Sequence, residues 1–277
     1  MTILSAKIIS LPAWCWLRNT RQATVHAAFA QAANFVNDQG DWLSLTVPAV
    51  GVGPFGAIVP LAQGDWRDWL RPGMPAFIHQ QTLSAGNLSV QFGAAALWDP
   101  RPDWERVSRS APAAFWMDMA ARLPPFSLYH QPYAARVQAA LAELDAGLRA
   151  GQVSRCARAA GQLGGLGPGL TPAGDDFLLG VMIALRLGWP AGDAQAFSMA
   201  MVDTVCPRTS ALSAAWLKAA AAGEVADHWH DLLRVMVAGD KEQMPAALQA
   251  VLSLGASSGA DALAGFVWAG QILFPVP

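Results

Sequence analysis

The sequence has little charge, few cysteines and no long apolar run. Only 14% of its 277 residues are charged and the formal net charge is -2, so neither nucleic acid nor an anionic membrane is indicated as a partner. The longest apolar run, Phe177 to Leu185, is far shorter than the ~20 residues of a membrane-spanning helix. The N-terminus lacks a convincing signal-peptide cleavage site. The three cysteines form no C-x-x-C pair, which fits reduced thiols. We therefore expect a cytoplasmic protein.

Familiar catalytic motifs are also missing. No Lys-Ser/Thr pair follows the glycines at residues 164–169, which excludes a Walker A loop, and no G-x-G-x-x-G follows a clear strand. His228 and His230 are two residues apart on a predicted helix, so they do not share a face as paired zinc ligands would. No Ser-His-Asp order, activated cysteine or paired-carboxylate acid–base set stands out. Any chemistry is therefore expected to depend on positioning and electrostatic stabilisation.

The most distinctive stretch is GGLGPGLTPAGDDFLLG, residues 164–180. Its glycines and prolines predict a loop, and the apolar spacing from Ala173 onward predicts a buried helix. Thr171 or Gly174 is expected near the helix cap, with Asp175 and Asp176 in the first turn.

Two interpretations of this stretch remain open. In one, backbone N–H groups around Gly167 and Gly169 approach a phosphate or carboxylate, and an aspartate orients a polar group or holds a hydrated Mg²⁺. In the other, the glycines only form a tight turn and the aspartates only complement the helix dipole.

The motif G-x-D-x-x-x-G occurs twice, at residues 174–180 and 259–265, each time with small residues before it and an apolar helix after it. The second glycine of each motif would let the two helices approach closely. We hypothesise that the two helix N-termini converge on one site with two carboxylates and several hydroxyl donors. The alternative is coincidence in a chain rich in glycine and alanine.

The fold class is predicted to be α+β. Short strands and turns from about Thr24 to Trp98 indicate a small antiparallel β barrel or sandwich, in which ATVHAAFAQAANFV is one strand that ends at the turn of residues 37–40. After the proline-containing segment 99–103 the spacing is helical, from SAPAAFWMDMAARL at residues 110–123 onward, with a break between two helices at Pro207. The predicted domains are a β-rich domain, residues 1–105, and a helical domain, residues 106–277.

The sequence resembles the bacterial family that contains AllH. The resemblance is carried by GLGPGLTPAGDDFLLG, RTSALSAAWLKAAAAGE, GASSGADALAG and TVHAAFAQAANFVNDQGDWLSLTV, so it extends over nearly the whole chain. A serine often stands in the family where this chain has Ala173. Any role of that hydroxyl is therefore absent or moved here.

The resemblance implies a transferase subunit of the oxamate carbamoyltransferase type, which acts in allantoin breakdown. Such a subunit works with an FdrA-like subunit, itself similar to acyl-CoA synthetases, and with a third subunit. The complex exchanges a carbamoyl group between oxalurate and phosphate, so the expected ligand is a small anion such as carbamoyl phosphate, phosphate or oxamate. In the shared RTSALS element, Arg208 is a candidate anion-binding fork and Thr209 a candidate helix cap.

These patterns define the candidate site residues. The candidate catalytic residues are Asp175, Asp176 and Asp261. The candidate ligand-binding residues are Gly167, Gly169, Thr171, Gly174, Arg208, Thr209, Ser257, Ser258 and Gly259.

Other functions stay open at this stage. The apolar composition and twelve tryptophans also fit a non-catalytic partner subunit, with contacts to other subunits or to further copies of this chain. A third alternative is a stand-alone Mg²⁺-dependent hydrolase built on the three aspartates. The sequence assigns no cofactor, but the three aspartates leave binding of Mg²⁺ open.

Overall fold

The chain forms two compact units in a computed structural model that describes residues 1–108, 113–130 and 132–275. The first unit comprises Met1–Pro100 together with the short segment Val225–Asp227, and the second comprises Arg101–Glu224 and the chain from His228 onward. The first unit ends within the proline-containing segment. No sequence pattern indicates that residues 225–227 belong to this unit.

The first unit is a curled half-barrel. One helix, α1 (Leu11–Asn19), lies among its strands, and the Ser10 side chain caps this helix by accepting a hydrogen bond from the Ala13 backbone N–H. The strands are β1 (Thr2–Ser5), β2 (Ile8–Ser10), β3 (Gln22–Ala28), β4 (Ala32–Asn37), β5 (Trp42–Thr46), β6 (Gly56–Ile58), β7 (Pro75–His79), β8 (Thr82–Ala85), β9 (Leu88–Gln91) and β10 (Ala96–Trp98).

These ten strands form one sheet in the order β1-β9-β8-β7-β3-β4-β5-β6-β2-β10. Antiparallel pairs dominate its centre, whereas β1 with β9, β2 with β10 and β5 with β6 run parallel. The largest side chains of its core, including Phe35, Trp66 and Phe92, are fully buried. The half-barrel followed by helices confirms the predicted α+β class.

One predicted strand is two strands. The apolar stretch before the turn at residues 37–40 divides into β3 and β4, which pair antiparallel. The chain reverses at Phe29–Gln31, where the Phe29 N–H donates to the Ala32 carbonyl at 2.8 Å. The prediction of a single strand was therefore wrong. A tight turn inside an apolar stretch need not contain polar or glycine residues, so the sequence did not reveal it.

The helices after the sheet follow the predicted pattern. The break at Pro207 falls in a short 3₁₀ turn, Cys206–Arg208, as expected. The helices are α2 (Trp104–Ser108), α3 (Ala113–Arg122), α4 (Ala134–Arg149), α5 (Val153–Leu163), α6 (Ala173–Gly188), α7 (Ala191–Val205), α8 (Ala211–Ala221), α9 (Asp227–Ala238), α10 (Met244–Leu252) and α11 (Ser258–Leu273). The predicted start of α3 at residues 110–112 lies outside the described residues. Within the described part of the chain, no helix has the length and apolarity needed to cross a membrane.

Helices α6 and α11 are packed in direct backbone contact. A Cβ atom at Gly180 would overlap the Ala262 carbonyl oxygen and lie 2.7 Å from the Phe266 nitrogen. A Cβ atom at Gly265 would overlap the Phe177 carbonyl oxygen. The prediction that the second glycine of each motif allows close helix approach is confirmed.

The α6/α11 crossing is symmetric. Gly180 and Gly265 occupy equivalent places in the two motifs, and each meets a carbonyl oxygen at the equivalent place of the other helix. The two helices also meet at both ends. Thr171 Oγ1 lies 2.8 Å from Ser258 Oγ beside the N-termini, and a Cβ at Gly188 would lie 3.0 Å from Leu273 Cβ at the C-termini. The helices are therefore parallel, about a local pseudo-two-fold axis.

Candidate functional site

The loop before α6 is shaped by glycine. Gly167 and Gly169 have φ values of 113° and 99°, a region that side chains with a Cβ rarely adopt. A Cβ at Gly167 would also lie 2.8 Å from the Ala173 nitrogen, whereas Gly169 is exposed and has open space around it. The helix cap is Pro172, and Asp175 and Asp176 stand in the first turn as predicted.

Asp175 fastens this loop to α8. Its carboxylate is 1% exposed. It accepts the Gly165 N–H at 2.8 Å, the Ser213 hydroxyl at 2.7 Å and the Thr209 hydroxyl. Three donors occupy this carboxylate, so its geometry is that of a structural tie between the glycine loop and α8.

The RTSALS element packs against the glycine loop. The cap of α8 is Ser210, whose side chain accepts the Ser213 N–H, so the expectation that Thr209 caps this helix is wrong. Thr209 lies one residue too early and its hydroxyl donates to Asp175 instead. The Arg208 guanidinium is exposed, and its Nη1 donates to the Gly161 carbonyl at 3.0 Å.

The two motif aspartates of α6 and α11 lie at the paired N-termini. Asp176 is 7% exposed and Asp261 is 2% exposed, and the Oδ2 atom of each is buried without a hydrogen-bond partner. The Oδ1 atom of Asp261 accepts the Ser127 N–H at 3.0 Å. Buried polar atoms are normally paired, so two unpartnered carboxylate oxygens at the paired helix N-termini indicate a place that a ligand completes.

Burial, helped by the neighbouring carboxylates of Asp261 and Asp175, raises the pKa of the Asp176 carboxyl to about 7. The Ser258 and Thr171 hydroxyls oppose this rise because they donate toward the charged form. Burial also raises the pKa of Asp261, against hydrogen bonds from Ser127 and Ser257. Both carboxyls are thus held in an environment that disfavours their charge.

Backbone donors at the two N-termini are largely occupied. The Gly174 N–H donates to the Leu166 carbonyl and the Gly259 N–H donates to the Leu254 carbonyl, each at 2.9 Å. The N–H groups of Asp175 and Asp176 both donate to the Pro172 carbonyl. The groups left to face a ligand are therefore mainly acceptors.

The first glycine of each motif is a packing residue. A Cβ at Gly174 would overlap the Leu163 carbonyl oxygen, and a Cβ at Gly259 would overlap that of Val251. In each case the helix start is pressed against the end of the preceding helix, α5 or α10. These glycines are needed for close approach within the fold.

The exposed rim above the carboxylates consists of loop residues. In the loop before α6 and around the start of α11, Gly169 and Ser257 are exposed and Thr171 and Ser258 are half-buried. The three aspartates do not form a metal-binding group, and no cluster of three or more His, Cys, Asp or Glu suited to a metal ion exists among the described residues. The Asp175 carboxylate faces α8, whereas that of Asp176 faces α11.

Ser127 is the site residue that sequence reasoning missed. It lies in a short 3₁₀ turn, Ser127–His130, between α3 and α4. No motif surrounds it, and its contact with Asp261 joins positions separated by 134 residues. Only the folded chain reveals it.

Substitution Asp176→Asn should change how stability depends on pH. Because folding raises this pKa from 3.8 to about 7, the stability it contributes is complete below pH 3.8 and is lost as pH rises through about 7. Asparagine does not titrate. The variant should therefore gain about 2 kcal/mol relative to wild type between about pH 5.5 and 8.5.

Urea unfolding at the two pH values measures this gain. Asp193→Asn is the matched control, because Asp193 stands in the first turn of α7 but is exposed. A stability difference from wild type that does not change with pH in Asp176→Asn would contradict the burial of a titrating carboxyl.

Comparison with known proteins identifies the family of this chain. Residues 163–270, which include both G-x-D-x-x-x-G motifs, match the family model of the oxamate carbamoyltransferase subunit AllH. Residues 6–97 match that of the AllH family N-terminal domain. None of the solved structures compared matches the chain significantly. The two family matches cover most of the chain, and it belongs to the AllH family of carbamoyltransferase-associated subunits.

Proposed function

We propose that this chain is a subunit of a carbamoyltransferase complex of the oxamate carbamoyltransferase type. In this role it binds a small anionic, carbamoyl-bearing substrate at the paired N-termini of α6 and α11, during transfer between an oxalurate-like ureido compound and phosphate. The observation that carries the proposal is the pair of buried, unpartnered carboxylate oxygens on Asp176 and Asp261. Membership of a family whose members are subunits of a complex supports the proposal that this chain acts within such a complex.

The residues of the site suggest a division of roles. Asp176 and Asp261 contact the substrate, and Thr171, Ser257 and Ser258 supply hydroxyl groups at the rim. The two helix dipoles favour the negative charge of the substrate. Asp175, through the Gly165 N–H, holds the glycine loop in place.

The proposal also includes partner subunits. The FdrA-like subunit and a third subunit are the proposed partners in the complex. Arg208 is exposed beside the loop and keeps guanidinium N–H groups beyond the one that donates to Gly161. It is the proposed cationic contact for a phosphate or carboxylate.

Turnover by the reconstituted complex tests the proposal. Asp176→Asn and Asp261→Asn should each lower carbamoyl transfer by at least ~100-fold, because the substrate loses a buried charged hydrogen-bond partner. Assembly, followed by size-exclusion chromatography, should be unchanged. Asp193→Asn should keep full activity. Full activity in both site variants would contradict the proposal.

Thermal unfolding of the chain alone provides a second readout. Carbamoyl phosphate, phosphate and oxamate are added separately, each with and without Mg²⁺. Saturation at 100 times the dissociation constant adds about 2.7 kcal/mol, which corresponds to several degrees. A shift that needs Mg²⁺ would assign the metal to the substrate complex. No shift with any of these ligands contradicts a site carried by this chain.

A non-catalytic partner subunit is the second candidate. It is favoured by the packing role of the motif glycines, which accounts for them without any ligand. Under this alternative, both aspartate variants keep full turnover, whereas polar substitutions at exposed apolar side chains disrupt assembly. Suitable positions are Met117 and Met199, which are 58% and 41% exposed.

A further inference from the structure

The unpartnered atoms of the site differ in kind from those expected of an anion site. An anion needs donors, yet the N–H groups of Gly174 and Gly259 already donate to backbone carbonyls. The two buried atoms without partners, Asp176 Oδ2 and Asp261 Oδ2, are carboxylate oxygens. An ionised carboxylate only accepts hydrogen bonds. A phosphate or carboxylate placed against the pair could be bound only through protons held by these carboxyls, whereas an N–H donor pairs with a carboxyl oxygen directly.

Only part of the proposed substrate matches these acceptors. A carbamoyl group carries an NH₂ with two N–H donors in one plane, whereas the phosphate or carboxylate at its other end offers acceptors. Two donors that diverge from one nitrogen suit two acceptors related by a two-fold axis. The motif repeat and the symmetric crossing of α6 and α11 give Asp176 and Asp261 that relation.

We infer that Asp176 and Asp261 bind the NH₂ of the carbamoyl group, one N–H to each carboxyl, so that this site reads the amide end of the substrate. This inference rests on the proposed function and adds the orientation of the substrate. The anionic end then points to the rim, where Gly169 and Ser257 are exposed.

The rim hydroxyls fit this orientation. Thr171 Oγ1 and Ser258 Oγ are hydrogen-bonded at 2.8 Å, so one hydroxyl uses its proton on the other. The second hydroxyl keeps its proton for Asp176 or for the carbamoyl oxygen. With that proton turned to the ligand, the two carboxyls accept the two N–H groups and the hydroxyl donates to the carbamoyl oxygen.

The inference predicts discrimination between ligands that differ only at this group. Acetyl phosphate is carbamoyl phosphate with a methyl group in place of NH₂, and pyruvate is related to oxamate in the same way. A methyl group leaves both buried acceptors unpaired, and sites built to hydrogen-bond a substrate N–H reject the analogue that lacks it. The analogues should bind at least ~100-fold more weakly.

Titration calorimetry and thermal unfolding of the full chain with these four compounds test this. Carbamoyl phosphate and oxamate should bind and raise the melting temperature, whereas acetyl phosphate and pyruvate at equal concentrations should not. In Asp176→Asn the ratio of affinities within each pair should fall at least ~10-fold, because an amide nitrogen replaces one acceptor. Asp193→Asn should keep the wild-type ratio, because its side chain is exposed on another helix.

The outcomes separate the inference from the proposed function. Equal binding of carbamoyl phosphate and acetyl phosphate, with loss of both in Asp176→Asn, overturns the inference but keeps the site. Discrimination that survives in both Asp176→Asn and Asp261→Asn also overturns it. No binding of any of the four compounds contradicts the proposed function itself.

Discussion

Substitution Gly180→Ala should destabilise the chain by about 3 kcal/mol or more, because the new methyl group would overlap backbone atoms of α11. A side chain in the way can rotate, but the Ala262 carbonyl and the Phe266 nitrogen can move only if the helices separate. Gly265→Ala should have an effect of similar size, since its methyl group would overlap the Phe177 carbonyl. Urea unfolding measures both.

A graded series keeps this prediction testable if Gly180→Ala fails to fold. At Gly188 a Cβ would lie 3.0 Å from the Leu273 side chain, which can adjust, so a smaller loss is expected. At Gly192, in the first turn of α7, nothing lies within 4 Å, so alanine should stabilise by about 0.5–1 kcal/mol. If Gly180→Ala were as stable as wild type, the close packing of α6 on α11 would be wrong.

Substitution Asp175→Asn should cost about 2–4 kcal/mol. The change keeps the shape but replaces one acceptor oxygen by a donor, which faces the N–H of Gly165 or the hydroxyls of Thr209 and Ser213. Unpaired buried donors carry the full cost of desolvation. The same isosteric change at the exposed Asp193 should alter stability by less than about 0.5 kcal/mol.

A double-mutant cycle with Ser213→Ala checks the cause. If the carboxylate and the Ser213 hydroxyl stabilise each other, the two effects should be non-additive by about 0.5–3 kcal/mol. Additive effects would show that Asp175 acts elsewhere. If an Asp175 variant loses activity, circular dichroism or limited proteolysis should show whether the glycine loop before α6 is still folded.

Local sequence was enough to predict the helices around the site. The start of α6 at Ala173 and the break at Pro207 follow from glycine, proline and apolar spacing, which act over a few residues. The repeated motif also predicted the close contact of two helices, because paired glycines on apolar helices have few other uses. These features depend on neighbours in the sequence.

Features that depend on distant residues were not predictable. The role of Asp175 requires α8 to lie beside the glycine loop, and the contact of Ser127 with Asp261 requires residues from two separate segments. The parallel pairing of β5 with β6 likewise depends on a connection whose path the sequence does not fix. The division of an apolar stretch into β3 and β4 was missed for a local reason, since no strong turn residue marks Phe29–Gln31.

The pairing of α6 with α11 also has a consequence for folding. Thr171 and Ser258, which meet at the N-termini, are 87 positions apart, and contacts with such separation form slowly because loop closure must come first. Helix α6 is buried along almost its whole length, so its apolar surface stays open to aggregation until α11 docks. The proposed carbamoyl site does not exist before that step. A bound substrate should therefore act mainly by slowing unfolding, with little effect on the rate of refolding.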